Sequence, residues 1–152
     1  MQIETSRFGP VRVRDERVLT FPQGLLGFAA KKRFALIQPP DSGSFFWLQS
    51  TETADLAFVV TDPRLFVPDY RPPVTPDQLR VLGLTDGETA QLLVIVNKTE
   101  DRLTGNLRGP LVIHTRKMLG LQVVLADSRF HTRFPLVDLA SAVREGELAG
   151  SV

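Results

Sequence analysis

Five prolines punctuate a single stretch of this chain: Pro63, Pro68, Pro72, Pro73 and Pro76. Proline fixes its own φ and removes a backbone donor. A segment so interrupted cannot lie in the middle of a sheet. Between its prolines it carries Phe66 and Tyr70, side chains large enough to hold it against a folded body. The spacing therefore predicts a rigid, ordered surface element rather than a loose linker, and it separates two groups of short strands.

Before this element, period-two alternation marks Gln2 to Arg7 and then Val11 to Arg14. Val18-Leu19-Thr20-Phe21, Phe34-Ala35-Leu36-Ile37, the aromatic run Phe45 to Ser50, and Leu56 to Thr61 read as further strands. The interruption Pro22-Gln23-Gly24-Leu25-Leu26-Gly27-Phe28 is too apolar to be a free loop and is expected to cover a core. After the proline element, Gln91 to Asn97 places Leu92, Val94 and Val96 on one face, with Leu93 and Ile95 on the other. Lys98 to Gly105 is polar and reads as a loop, and Asn106 to Pro110 as short extended chain with a break. Leu111 to Thr115 and Leu121 to Leu125 are strands.

One helix is signalled clearly. Thr75 suits the N-cap, Pro76 the first helical position, and Gln78 stands three residues beyond the cap, where it completes a capping box. Leu79 and Leu82 share a face, and Gly83 ends the helix after about two turns. Leu136, Leu139 and Val143 recur at helical spacing and predict a marginal helix, followed by a frayed tail. The long crossover helices of parallel βαβ units are missing. The expected fold is mainly β: a small antiparallel β-barrel-like single domain with one short helix, spanning residues 1–134, with 135–152 as a C-terminal tail.

Composition narrows the class. Hydrophobic residues make up 43% and charged residues 23% of the 152, so a core can form without staples. Cysteine is absent, which removes disulfides, thiolate chemistry and Cys-based metal sites. The first residues lack an apolar signal-type run, and no apolar window is long enough to span a bilayer. A cytoplasmic protein is expected. The net charge of +1 does not by itself point to nucleic acid. Basic groups nevertheless cluster, seven against three acidic within residues 1–33 and six against one within 102–133.

Catalytic signals are weak. His114, His131, Asp127 and Ser128 do not fall in a nucleophile-elbow pattern, and no zinc, calcium or P-loop motif occurs. No catalytic residue, metal or cofactor is expected. Arg12, Arg14 and Arg17 could grip phosphate, although a solvated strand face explains their alternation more simply. Phe45, Phe46 and Trp47 could stack bases, yet neighbours in a strand point to opposite faces. Protein recognition remains: a rigid proline segment beside Asn106-Leu107-Arg108, which is expected to expose a strand edge to a partner.

Several blocks carry a resemblance. They are Phe21 to Phe28, Phe46 to Ser50, Phe58 to Pro63, Phe66 to Tyr70, Asn106 to Ile113 and Gly120 to Leu125. In this order and spacing the chain resembles the FliW family of flagellar assembly factors. The resemblance implies a small antiparallel β-barrel-like protein without catalytic activity, acting as a chaperone-like regulator in bacterial flagellum biogenesis. It implies two partners, flagellin and the translational repressor CsrA, with no direct contact to nucleic acid or membrane. Binding CsrA would relieve repression of flagellin mRNA translation. The competing reading is a barrel-type small-ligand or RNA-binding module. The candidate protein-binding residues within these blocks are Phe46, Asp62, Phe66, Pro68, Asp69, Tyr70, Asn106, Leu107 and Arg108. Residue chemistry gives Phe66, Tyr70 and Leu107 the role of apolar anchors, and Asn106 and Arg108 that of directed hydrogen-bonding groups. It sets Asp62 and Asp69 against a basic surface.

Overall fold

The structure, a computed structural model, describes residues 1–85 and 90–139. The strands are β1 (Gln2–Thr5), β2 (Gly9–Arg12), β3 (Val18–Thr20), β4 (Arg33–Ile37), β5 (Phe45–Ser50), β6 (Ala57–Thr61), β7 (Gln91–Lys98), β8 (Arg102–Gly105), β9 (Leu111–His114), β10 (Leu119–Gln122) and β11 (Phe134–Asp138). Seven of them close a ring in the order β7-β6-β5-β4-β3-β10-β9 and back to β7. All contacts in the ring are antiparallel except β3 with β10, a parallel pairing at Leu119 and Thr20. The expected mainly β, barrel-like single domain with one short helix is the observed architecture.

Strand alternation sorts the side chains into an inside and an outside. Leu19, Phe21, Phe34, Leu48, Val60, Leu93, Leu111 and Ile113 fill the barrel interior. Phe21 and Phe34 meet edge to face at 5.9 Å, a packing mode that aromatic quadrupoles favour. Leu25 reaches this core from the apolar loop between β3 and β4, and Phe28 packs on Phe58. That loop is therefore a cover for the barrel, as its composition demands. Each fully buried large apolar side chain contributes roughly 1.5–3 kcal/mol relative to exposure.

The outer wall is buried on two sides. The β1–β2 hairpin packs Ile3 and Val13 against Val18 and Ala35. Elsewhere Leu92, Val94, Val112, Leu121, Val123 and Leu125 face away from the interior and lie under Tyr70, Leu82 and Leu107. Here β7 and β9 are buried on both faces, which explains their continuous apolar runs.

The helix, α1 (Pro76–Val81), forms as its sequence signals require. The Thr75 hydroxyl accepts from the Gln78 N–H at 3.2 Å, and the Thr75 N–H donates to Gln78 Oε1 at 2.8 Å. At the other end the Leu84 N–H reaches the Leu79 carbonyl and the Gly83 N–H the Arg80 carbonyl, with Gly83 at φ +69°. This is a Schellman stop, and glycine is the residue that adopts it without strain. The helix does not plug the barrel; it sits with the proline segment on the outer wall.

Two expectations are corrected. The stretch read as a polar loop contains β8, which pairs with the C-terminal half of β7. The region read as the start of a helical tail is β11, which pairs with β8 through a register shift between Pro135 and Val137. Leu136, within β11, lies against Gly105 of β8. The remainder of the proposed tail, residues 140–152, lies outside the described residues.

Gly120 tests the barrel's closure. A Cβ built there would run into the Phe21 ring, inside the parallel seam between β3 and β10. We expect Gly120→Ala to destabilise the protein by roughly 1–3 kcal/mol through overpacking. Urea unfolding followed by the fluorescence of Trp47 should show the midpoint falling; an unchanged midpoint would contradict this view of the seam.

Candidate functional site

The proline segment begins with a short 3-10 turn, Pro63–Leu65. Asp62 caps it: its Oδ1 accepts from the Arg64 N–H at 2.9 Å, and its Oδ2 accepts from Gln91 Nε2 at 3.3 Å. The Phe66 and Val67 N–H groups bond back to the Pro63 carbonyl, and the Tyr70 N–H to Val67. The segment is thus a chain of turns, as its prolines require, and Tyr70 pins it.

Tyr70 is 3% exposed. Its ring meets Phe130 edge to face at 5.9 Å, and its hydroxyl donates to the Leu107 carbonyl at 2.5 Å. Burial pushes the phenol pKa well above its usual value, because the anion would lose its hydration.

The acceptor belongs to a corner, residues 106–110, inserted between β8 and β9 as both run along β7. The Asn106 N–H donates to Ile95, and the Leu107 N–H to His131. Asn106 Oδ1 accepts from the N–H groups of Arg108 and Gly109, each at 3.1 Å. The carbonyls of Arg108 and Pro110 accept from Leu125 and Val123, and that of Gly109 from Gln122 Nε2. The Arg108 guanidinium closes the corner, donating to the carbonyls of Leu125 at 2.9 Å and Ala126 at 3.0 Å.

These contacts redistribute the nine sequence candidates. Tyr70 and Leu107 are core residues, not exposed apolar anchors, because the outer-wall cluster encloses both side chains. Asn106 and Arg108 direct their hydrogen bonds to the chain's own backbone. Their segment is a saturated corner and does not expose a strand edge. Phe66 is half-buried against Phe45, with ring centres 6.1 Å apart. Pro68 and Asp69 are exposed on the strap. Phe46 and Asp62 meet at the open end of the barrel, where they line a cavity of about 580 Å³.

That cavity has an apolar floor that includes Leu19, Leu36, Leu93 and Ile113, and a rim that includes Glu16, Arg17 and Gln91. Leu65, 60% exposed, stands at its edge. Sequence reasoning passed over Leu65 and Gln91. A large apolar residue between two prolines was the available signal for Leu65; the bond from Gln91 to Asp62 is a tertiary contact with no local signature.

The histidines and the acid weighed for catalysis have structural contacts among the described residues. His114 is buried at the end of β9, where its Nδ1 accepts from the Lys117 N–H at 3.3 Å, while His131 is exposed. Asp127 is bound by the Arg129 guanidinium, whose hydrogen bonds hold its carboxyl below the usual carboxylate range. Among the described residues no group of three or more His, Cys, Asp or Glu side chains could hold a metal. Trp47, a candidate base-stacking platform, is covered by Arg7, whose guanidinium lies 4.0 Å from the ring centre, and is flanked by Phe8.

The fold and its clamped strap define a class: a small seven-stranded barrel, mainly antiparallel, braced on its outer wall by a proline segment. Comparison with known proteins makes the class specific. Residues 2–136 match the family described as FliW protein. The flagellar assembly factor FliW of Geobacter sulfurreducens is 38% identical over 143 residues, covering 93% of this chain and 89% of the relative. That of Bdellovibrio bacteriovorus is 40% identical over 138 residues, covering 90% and 79%. A crystal structure of the flagellar assembly factor FliW superposes with a TM-score of 0.81 at 33% identity, covering 90% of this chain and 97% of that one. The chain belongs to the FliW family.

The clamp can be read directly, because Tyr70 is the single tyrosine. We expect the 295 nm phenolate signal to stay absent past the ordinary tyrosine pKa of about 10 and to rise together with unfolding. A raised native pKa means that the associated stability is present below about pH 10 and lost as pH climbs toward the native value. Tyr70→Phe should cost about 1–3 kcal/mol by leaving a buried carbonyl without its donor. A normal titration in the folded protein would contradict the clamp.

Proposed function

We propose that this chain is a non-enzymatic flagellar assembly factor acting in the bacterial cytoplasm. It binds flagellin and the translational repressor CsrA, and by binding CsrA it relieves repression of flagellin mRNA translation. The observation that carries this reading is the family match, which spans the barrel, the strap and the corner together. The matched relatives are described as assembly factors and not as enzymes.

The physical form suits protein docking. A partner approaching the strap meets a surface already ordered by turns, so little conformational entropy is lost on association. Leu65, Pro68 and Asp69 are among its accessible groups, with Arg64 and Arg71 beside them, and Asp62 and Phe46 extend it into the barrel mouth. Regulation then needs only linked equilibria: flagellin depletes the free factor by mass action, and the free factor depletes active repressor. No chemical step is involved.

A binding assay with the organism's flagellin, its CsrA and a flagellin messenger leader tests the proposal. The protein should bind both proteins and not the bare leader, and added flagellin should restore CsrA to the messenger. Asp69→Lys, at an exposed position, should weaken CsrA binding about tenfold while leaving thermal stability unchanged. Failure to bind either protein, or tight sequence-selective binding to the leader, would overturn it.

A further inference from the structure

Of the three arginines Arg12, Arg14 and Arg17, only Arg17 belongs to the surface described above, at the rim of the barrel mouth. All three are exposed, and none has an acidic partner among the described residues. Arg14 is extended, at φ −70° and ψ 144°, and leads into the 3-10 turn Asp15–Arg17. Together the three line a second hollow of about 490 Å³, whose walls include Val11, Leu36 and Ile37. This hollow and the barrel-mouth cavity share two residues, Arg17 and Leu36. The arginine strip and the apolar mouth are therefore adjoining parts of one surface.

The acidic groups nearby do not cancel the strip. The Asp15 carboxylate lies 4.0 Å from the N-terminal amine, which offsets its charge. Glu16 and Asp62 face the mouth as two carboxylates, against the three guanidinium groups of the strip.

We infer that the barrel mouth and the Arg12–Arg14–Arg17 strip form one site for an acidic polypeptide segment carrying a large apolar side chain. Charge complementarity selects the acid, since guanidinium groups bind carboxylates through directed, charge-assisted bonds. The cavity floor selects the apolar group. A nucleic acid would use the arginines and leave the apolar mouth empty. A single-headed fatty acid would fill the mouth and bring one carboxylate to three arginines. An acidic segment supplies several carboxylates and the apolar side chain at once. The inference rests on the docking reading above and adds the chemistry of what is docked.

The test uses the full chain and a synthetic peptide, acetyl-Asp-Glu-Glu-Phe-Glu-Asp-Glu-amide, by titration calorimetry and amide chemical-shift mapping. Binding should map to residues 11–17, 36 and 65. An Asn/Gln version of the peptide should bind about tenfold more weakly, and affinity should fall as salt rises from about 0.05 to 0.5 M. The combined change Arg12→Glu, Arg14→Glu and Arg17→Glu should abolish binding with the circular dichroism spectrum retained. Leu65→Asp should weaken it by adding a charge at the rim. Equal affinity for the neutral peptide, shifts confined to another face, or tighter binding of dodecanoate than of the peptide would overturn the inference. The flagellin and CsrA assays are scored separately. A silent peptide with intact protein binding overturns this site alone; a bound peptide with no protein binding overturns the functional reading and leaves the site.

Discussion

The hydrogen bond from the Tyr70 hydroxyl to the Leu107 carbonyl joins the two irregular parts of this molecule. On one side is a proline segment that cannot enter a sheet. On the other is a corner that interrupts the β8–β9 path along β7. Neither can satisfy its backbone through a regular ladder. The corner instead uses the Asn106 carboxamide, the Arg108 guanidinium and the Gln122 amide, and the tyrosine takes up the remaining inward carbonyl. A buried carbonyl without a donor costs about 1–3 kcal/mol, so the strap and the corner stabilise each other.

That clamp explains why the outer wall is a core in its own right. β7 and β9 send alternate side chains into the barrel and out under the strap. Without the strap, Leu92, Val94 and Val112 would form an exposed apolar stripe, which a chain of this size rarely leaves uncovered. The strap is thus part of the folding unit. Its accessible residues, Leu65, Pro68 and Asp69 among them, are presented on a base fixed from beneath.

Much of this was legible in the sequence because it rests on local rules. The capping box at Thr75 and Gln78, the stop at Gly83 and the two-faced run of β7 each follow from residue type and spacing. Two strands were not legible. β8 is four residues with a single large apolar side chain and β11 has no fully buried position, and their pairing partners are β7 and each other, so no hydrophobic period announced them. Among the candidate site residues, the sequence did not disclose which side chains face outward. Tyr70 and Leu107 look like interface anchors by composition. Their burial is decided by a contact between positions 37 residues apart, which no local pattern encodes. The bond from the Gln91 amide to Asp62 likewise joins positions 29 residues apart and has no local signature.

The central physical claim is that strap, corner and barrel form one cooperative unit. Native-state hydrogen exchange measures this most directly. The amides of Tyr70, Leu107 and Arg108 should exchange only through global unfolding, with the same denaturant dependence as Val94 and Val112 in the barrel wall. Exchange of the strap and corner amides through a separate, lower-energy opening, with the barrel amides still protected, would contradict it.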